Sequence, residues 1–272
     1  MERNASRRAY LATLGTLGAA ALAGCTTGDG EGSDDPRTTD GTTPGAGTEH
    51  TTNGTPTPLE PPEGTGPNGV ENTAPLIEAT RTELVNNDYE IVHTVPTGSS
   101  SPGTIRIRSS LETKRNLLVF DTSEETNRMY AANGTRYVRT TADDETSYST
   151  TDFDSFATLH EENDQVSMLG SGEALGGILP FGNYTPAETV RRNGRRLLRF
   201  DLESVEPEST ISVTDSTGGL LVSPEGVVFK ARTAYTTEAS GTQTEWSFVI
   251  EKLGDVSISE PDWVAMARDK TE

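Results

Sequence analysis

Cysteine, histidine and basic side chains are all scarce in this sequence of 272 residues. The single cysteine, Cys25, has no second thiol in the chain with which to form a disulfide. The three histidines, His50, His93 and His160, lack the short spacings at which zinc ligands recur. The sequence therefore predicts no metal site and no other cofactor.

Catalytic motifs are also missing. No serine occupies the Gly-x-Ser-x-Gly pattern of a nucleophile elbow, and no Gly-Lys-Thr sequence marks a phosphate-binding loop. The acidic runs at 143–145 and 161–164 lack the alternating ligands and central glycine of a calcium loop, so we interpret them as solvated charge. We therefore expect a protein that is not an enzyme.

Negative charge dominates the chain. It has 42 acidic and 22 basic residues, a formal net charge of −20. Such a surface repels nucleic acids, whose binding needs Lys and Arg, and it disfavours docking on anionic lipid headgroups. A basic cluster at 191–196 flanks one turn, and the sequence leaves open whether it is salt-bridged or meets an anionic headgroup. The excess of acid together with scarce lysine resembles the proteins of extremely halophilic archaea.

The first 25 residues have the layout of an export signal. Arg7 and Arg8 precede an apolar stretch, 11–23, that is too short to span the ~30 Å hydrocarbon core of a bilayer. Paired arginines before such a stretch indicate a twin-arginine signal peptide at 1–24. Leu22-Ala23-Gly24-Cys25 resembles a lipobox, whose cysteine is lipidated. We therefore expect a lipid anchor on Cys25 at the extracytoplasmic face of the cell membrane.

Residues 25–72 are mostly Thr, Gly, Pro, Asp and Glu. Such a segment buries too little apolar surface to offset its ordering entropy, so we predict a disordered linker that leads to a globular domain at 73–272. Asn53, Asn133 and Asn183 each begin a sequon that can accept a glycan in an exported protein, the last two in predicted turns. An undecorated chain is equally compatible with the sequence.

The domain at 73–272 has a helix-strand-helix-strand order. Apolar spacing predicts a helix from Thr73, a central helix over Phe153–Leu169 and a terminal helix after Trp263. Asn133-Gly134 and Asn193-Gly194 each predict a hairpin turn. The predicted strands are Tyr89–Val95, Thr104–Ser110, Asn116–Asp121, Arg128–Ala132, Arg136–Thr141, Glu188–Arg192, Arg195–Leu202, Ser209–Asp215, Gly219–Ser223, Val227–Thr237, Gln243–Leu253 and Val256–Ile258. This order predicts an α+β fold with one antiparallel sheet.

Three features resemble the LolA/LppX-type envelope lipoprotein carriers. They are the amphipathic helix before the first strand, the hairpin at 219–230 around Pro224-Glu225-Gly226, and the closing run from Val256 to Ala267. The resemblance implies a sheet curved as a half-open barrel, with helices over its concave face and an apolar cavity between them. Such carriers have no catalytic residues.

A ligand in that cavity would meet apolar side chains from both layers. On the helix side these are Phe156, Leu175, Ile178, Leu179 and Phe181, and on the sheet side Phe120, Tyr130 and Phe200. Gly176-Gly177 interrupts the apolar run 174–181, which suits either a flexible lid or a closely packed loop. We therefore expect an anchored, non-enzymatic lipoprotein that binds a lipid or other apolar ligand. The alternative is an envelope interaction module with a solid core and no small-molecule ligand.

Overall fold

The computed structural model describes residues 59–96, 102–161, 166, 169, 174–205 and 212–271. All of them belong to the unit that begins at Thr55. The predicted signal residues Arg7 and Arg8, the predicted lipidation site Cys25 and the sequon at Asn53 lie outside the described residues.

From Thr73 onwards, the described residues follow the predicted order of helix, strands, helices and strands. The helices are α1 (Thr73–Val85), α2 (Phe156–Glu161), α3 (Leu175–Ile178) and α4 (Trp263–Thr271). The first strands are β1 (Thr65–Gly66), β2 (Gly69–Val70), β3 (Tyr89–Val95), β4 (Gly103–Ser110), β5 (Arg115–Asp121), β6 (Glu125–Ala132), β7 (Thr135–Ala142) and β8 (Glu145–Asp152). The later strands are β9 (Gly182–Arg192), β10 (Arg195–Val205), β11 (Val213–Val222), β12 (Val228–Thr237) and β13 (Gln243–Leu253).

In the described part of the chain, the main sheet has 11 strands in the order β8-β7-β6-β5-β4-β3-β13-β12-β11-β10-β9. Every neighbouring pair is antiparallel. Strands β8 and β9 are its two edges, so the sheet is not closed. The pairing of β3 with β13 joins the strands that precede α2 to those that follow α3. The predicted α+β class with an antiparallel sheet is confirmed, whereas the half-open barrel curvature stays a prediction.

A second, two-stranded sheet of β1 and β2 corrects the prediction of a single sheet. Gly69 in β2 has a φ of +127°, and a side chain there would collide with the Tyr184 carbonyl in β9. Residues 64–69 match the pattern Gly-x-Gly-x-x-Gly, which in dinucleotide-binding proteins forms a turn from a strand into a helix. Here the same pattern lies in the hairpin of β1 and β2. Strands β1 and β2 both precede residue 73, the first residue of the predicted domain.

The tight turns follow from residues that tolerate positive φ. Asn133-Gly134 (53° and 81°) and Asn193-Gly194 (49° and 77°) confirm both predicted hairpins. Asp143-Asp144 (51° and 62°) makes the same kind of turn from acidic residues and leads into β8. Strand β8 was not predicted, because its Ser and Thr residues lack an apolar alternation.

Two predicted strand assignments are wrong. Strand β11 continues through Gly218-Gly219, where two strands were predicted; a Cβ at Gly218 would meet the backbone of Arg232 in β12. The segment Val256–Ile258 is not a strand, although Val256 and Ile258 are buried. Their side chains pack in the cluster around α4, so burial alone accounts for their apolar character.

Two apolar clusters lie on opposite faces of the main sheet. The larger includes residues of α1, α3, β12 and β13, and the smaller surrounds α4. Leu118 packs against the larger cluster and Leu117 against the smaller. Consecutive strand side chains point to opposite faces, so we name these the α1 face and the α4 face. The expectation that the helices cover one face is therefore wrong for α4.

Thr80 connects α1 to the sheet beneath it. Its Oγ1 donates to the Leu76 carbonyl at 2.7 Å and accepts from the Val228 amide of β12 at 2.9 Å. The Thr80 side chain is fully buried, so no water competes for these bonds. The bond to Val228 fixes α1 at the start of β12.

Candidate functional site

The predicted lid segment packs as core. Leu175, Ile178 and Leu179 are each at most 1% exposed and belong to the main apolar cluster. The Tyr184 hydroxyl donates to the Ile178 carbonyl at 3.0 Å and lies 2.8 Å from the Thr233 hydroxyl. Burial raises the pKa of Tyr184 to about 12, so it stays a donor at neutral pH. The geometry at 174–179 is that of a closely packed segment.

The other predicted contact residues divide between the two faces. Phe200 is buried in the main cluster, and Phe120, Phe156 and Phe181 are half-buried. Phe181 packs against Tyr235 in a tilted arrangement, with ring centroids 5.3 Å apart. Tyr130 packs in the α4 cluster, so its predicted place opposite the lid is wrong. The reason is strand parity: Tyr130 faces away from Met129 and Ala131, its neighbours in β6.

Strands β4 to β7 carry an apolar patch on the α1 face. It consists of Ile105, Leu118, Phe120, Met129 and Val138, which we call the β4–β7 patch. Ladder pairing puts Ile105 opposite Phe120, Leu118 opposite Met129, and Met129 opposite Val138. All five are half-buried. The equivalent row over β10 to β13 is at most 2% exposed; its members are Phe200, Leu220, Ala231 and Phe248.

A row of mostly polar side chains borders this patch on the same face. In ladder order it is Tyr89, Ser109, Asn116, Ala131 and Arg136. Asn116 is fully buried, yet among the described residues neither its amide nitrogen nor its oxygen has a hydrogen-bond partner. The Arg136 Nε atom is also buried without a partner in that part of the chain. Such atoms are uncommon in native proteins, because each loses its water without a replacement.

His160 holds α2 at the end of this row. Its Nδ1 lies 2.7 Å from the Ser109 Oγ, and its Nε2 lies 3.2 Å from the Leu84 carbonyl. A carbonyl only accepts, so Nε2 carries the proton and Nδ1 accepts from Ser109. The imidazole packs against Tyr89 and Phe156, with ring centroids 5.2 and 6.2 Å away. Burial lowers the pKa of His160. The ring is therefore a neutral structural link between α1, α2 and β4.

The remaining predicted sites are surface features. Asn133 is exposed in the β6–β7 turn, whereas Asn183 is exposed within β9 and not in a turn as predicted. In the basic cluster, Arg192 pairs with Glu251 at 3.6 Å and Arg195 lies over the Phe229 ring. No group of three His, Cys, Asp or Glu in the described part of the chain could hold a metal ion. None of the described helices is both long and apolar enough to cross a membrane.

The sequence matches no protein-family model and no curated protein. Among solved structures, MucB has a TM-score of 0.28 and 13% identity, over 69% of this chain and 60% of that chain. MucB in complex with MucA(peri) gives 0.28 and 13%, over 71% and 59%. An outer membrane lipoprotein-sorting protein domain from Vibrio parahaemolyticus gives 0.17 and 9%, over 69% and 94%. The chain thus spans about 60% of the MucB chains. With TM-scores this low, these likenesses support no assignment of function.

Sequence reasoning missed Asn116 as a site residue. The sequence nevertheless indicates that Asn116 is buried. It is the first residue of a predicted strand, and Leu118 and Phe120 are on the same face of that strand. A polar residue in register with two inward-facing apolar residues predicts a buried polar group. The partners across the ladder, Ser109 and Arg136, depend on the strand register, which a single sequence does not supply.

Proposed function

We propose that this protein is a non-enzymatic, extracytoplasmic binding protein, anchored to the membrane through Cys25, that holds a lipid-type or other apolar ligand on the α1 face of its sheet. The contact surface in this proposal is the β4–β7 patch, and Phe156 of α2, which packs against His160, is a further contact. This moves the ligand away from α3, where Leu175, Ile178 and Leu179 are already enclosed by protein.

Asn116 carries the proposal. Ligand sites typically combine an apolar lining with a few well-placed polar groups. The buried Asn116 amide has one donor and one acceptor group unused, and Leu118 and Phe120 continue from it along the same face of β5. A ligand with a hydrogen-bonding end at Asn116 and an apolar body across Leu118 and Met129 would satisfy both requirements.

The β4–β7 patch supports the same conclusion from its burial. Its five side chains keep part of their surface accessible, while the row over β10 to β13 is closed by α1 and α3. Covering apolar surface contributes roughly 25 cal/mol for each Å² removed from water. An apolar chain laid across Leu118, Met129 and Val138 would gain this energy without displacing any residue of the packed cluster.

The second candidate is an envelope interaction module without a small-molecule ligand. The complete burial of Leu175, Ile178 and Leu179 favours this candidate. These three side chains have no accessible surface left for a small-molecule ligand to contact.

The two candidates differ in their response to the uncharged fluorescent probe N-phenyl-1-naphthylamine. We expect the wild-type protein to take up the probe. Val138→Asp should weaken uptake about tenfold, because a carboxylate is costly to cover with an apolar ligand. The control is Thr141→Asp, which adds the same charge to the opposite face of β7. Thermal melting of both variants verifies that the fold is retained.

Native mass spectrometry of protein purified from its own host gives an independent readout. Co-purified lipid in the wild type that is lost in Val138→Asp supports the binding function. If the wild type neither takes up the probe nor carries lipid, the interaction module becomes the better description of this protein.

A further inference from the structure

A groove on the α4 face is separate from the β4–β7 patch, because it lies on the other side of the same strands. Leu117 and Val119 of β5 form part of its floor, and Pro261, Trp263 and Met266 form its wall. Its volume is about 420 Å³, within the ~300–1,000 Å³ of small-molecule sites. Met266 is 48% exposed, the one large apolar side chain exposed among the described residues.

Two arginines face each other in this groove. Arg128 of β6 and Arg139 of β7 are directly opposite in the ladder, and both line the groove. Like charges in directly opposed strand positions destabilise a sheet. The Nε atom of each arginine is buried and has no hydrogen-bond acceptor among the residues that the structure describes. The pair therefore presents to the groove a positive charge that an anion could balance.

No carboxylate in the described part of the chain pairs with Arg128 or Arg139. Asp262 lines the groove but forms no ion pair with either. On nearby strand β4 the situation is different. Arg106 and Arg108 share Glu90 at 2.6 and 3.2 Å. Arg106 and Arg108 are thus balanced by a carboxylate, whereas among the described residues Arg128 and Arg139 are not.

The chemistry of the groove limits what can occupy it. Guanidinium groups bind carboxylate, phosphate or sulfonate oxygens in planar, paired hydrogen bonds. The net charge of −20 repels polyanions and anionic membrane surfaces, so a single anionic group is favoured. Trp263 and Met266 offer apolar contacts next to the arginines.

We propose that the groove binds a small organic anion, in which one carboxylate, phosphate or sulfonate group is joined to an apolar or aromatic body. The anionic group binds between Arg128 and Arg139, and the apolar body lies against Trp263 and Met266. This site is independent of the ligand on the α1 face.

The test uses two related probes, 8-anilinonaphthalene-1-sulfonate and its uncharged relative N-phenyl-1-naphthylamine. The wild type should bind the sulfonate probe, with an affinity that falls as salt is added. Arg128→Gln and Arg139→Gln should each weaken it about tenfold, the effect of losing a charge-assisted hydrogen bond. Uptake of the uncharged probe should not change. Arg191→Gln, which removes the same charge from exposed β9, is the matched control.

Melting temperatures serve as the control for folding. We expect them not to fall, because neutralising one of two opposed arginines removes a repulsion in the sheet. Met266→Glu gives a second, independent variant at an exposed position. It places a carboxylate beside the arginines and should abolish binding of the sulfonate probe while the fold persists.

The proposal is overturned if both arginine variants bind the sulfonate probe as the wild type does. It is also overturned if Arg191→Gln weakens binding equally, or if the arginine variants lose both probes together. Binding of the wild type to phosphatidylglycerol vesicles without binding of the free sulfonate probe would assign the groove to a membrane surface instead. Loss of the uncharged probe in Val138→Asp concerns only the α1 face, so the two proposals fail separately.

Discussion

His160 and Ser109 are joined by a buried hydrogen bond of 2.7 Å between Nδ1 and Oγ, which ties helix α2 to strand β4. The other ring nitrogen reaches the Leu84 carbonyl at the end of α1. One imidazole thus connects three elements of the α1 face, next to the unpaired Asn116 in the same row. A change in the charge of this ring would therefore alter the contacts among α1, α2 and β4.

Acidification should destabilise the protein through His160. Burial lowers its pKa in the folded state below the ordinary value of 6.5, so protonation favours the unfolded chain. The stabilisation is fully present above about pH 6.5 and is lost as the pH falls through the folded pKa. Urea unfolding between pH 8 and pH 5 measures this loss. His160→Gln should flatten the profile, and an unchanged slope in that variant would contradict the assignment.

Thr80→Val should destabilise the fold by about 1–3 kcal/mol, because the Val228 amide would lose its acceptor and stay buried. Thr80→Ser keeps the hydroxyl and serves as the control. It should cost clearly less, since only a methyl group is removed. Chemical unfolding of the three proteins makes the comparison. Equal stability of the valine variant and the wild type would mean that this bond does not hold α1 to β12.

Asn116→Leu should stabilise the ligand-free protein by roughly 1–3 kcal/mol, because it removes a buried amide with no partner. The same change should weaken ligand retention on the α1 face. Asn127→Leu is the matched control, because Asn127 is on the same face but only half-buried, and it should change neither property much. A destabilised Asn116→Leu protein would show that the amide is satisfied after all.

The anchor is tested separately in the host cell. Cys25→Ser should release the protein into the medium or leave it unprocessed, because the only thiol available for lipidation is lost. Replacing Arg7 and Arg8 by lysine keeps the charge and should block export by the twin-arginine route. Cell fractionation with immunoblotting reads both results. Unchanged membrane association of the serine variant would disprove the lipid anchor.

Local chemistry predicted much of the fold. The strand Tyr89–Val95 has the predicted bounds, and the Asn-Gly turns lie where positive φ is needed. Strand β8 escaped prediction because its stability comes from ladder pairing with β7 and not from an apolar alternation. The local pattern of residues in a strand does not indicate which strand it pairs with.

The candidate site was less predictable than the strands. Phe120 and Phe156 were predicted as contacts and are half-buried on or beside the α1 face, but Tyr130 is on the other face. Assigning Tyr130 requires knowing which alternate positions of β6 face the core, and β6 has apolar residues on both sides. Predicting the groove requires knowing that α4 packs against β5 to β7. These elements are far apart in the sequence, so no local pattern indicates this contact.

The pairing of β3 with β13 has a consequence for how the chain is assembled. Nearly every other ladder joins strands that are close in sequence, whereas this one joins Tyr89–Val95 to Gln243–Leu253. Loop-closure entropy makes such a distant pairing slow. A ribosome-bound chain that ends before residue 243 has β3 and β12 as unprotected edges, each able to pair with another molecule. Synthesis of β13, Gln243–Leu253, therefore separates an aggregation-prone chain from a protected one.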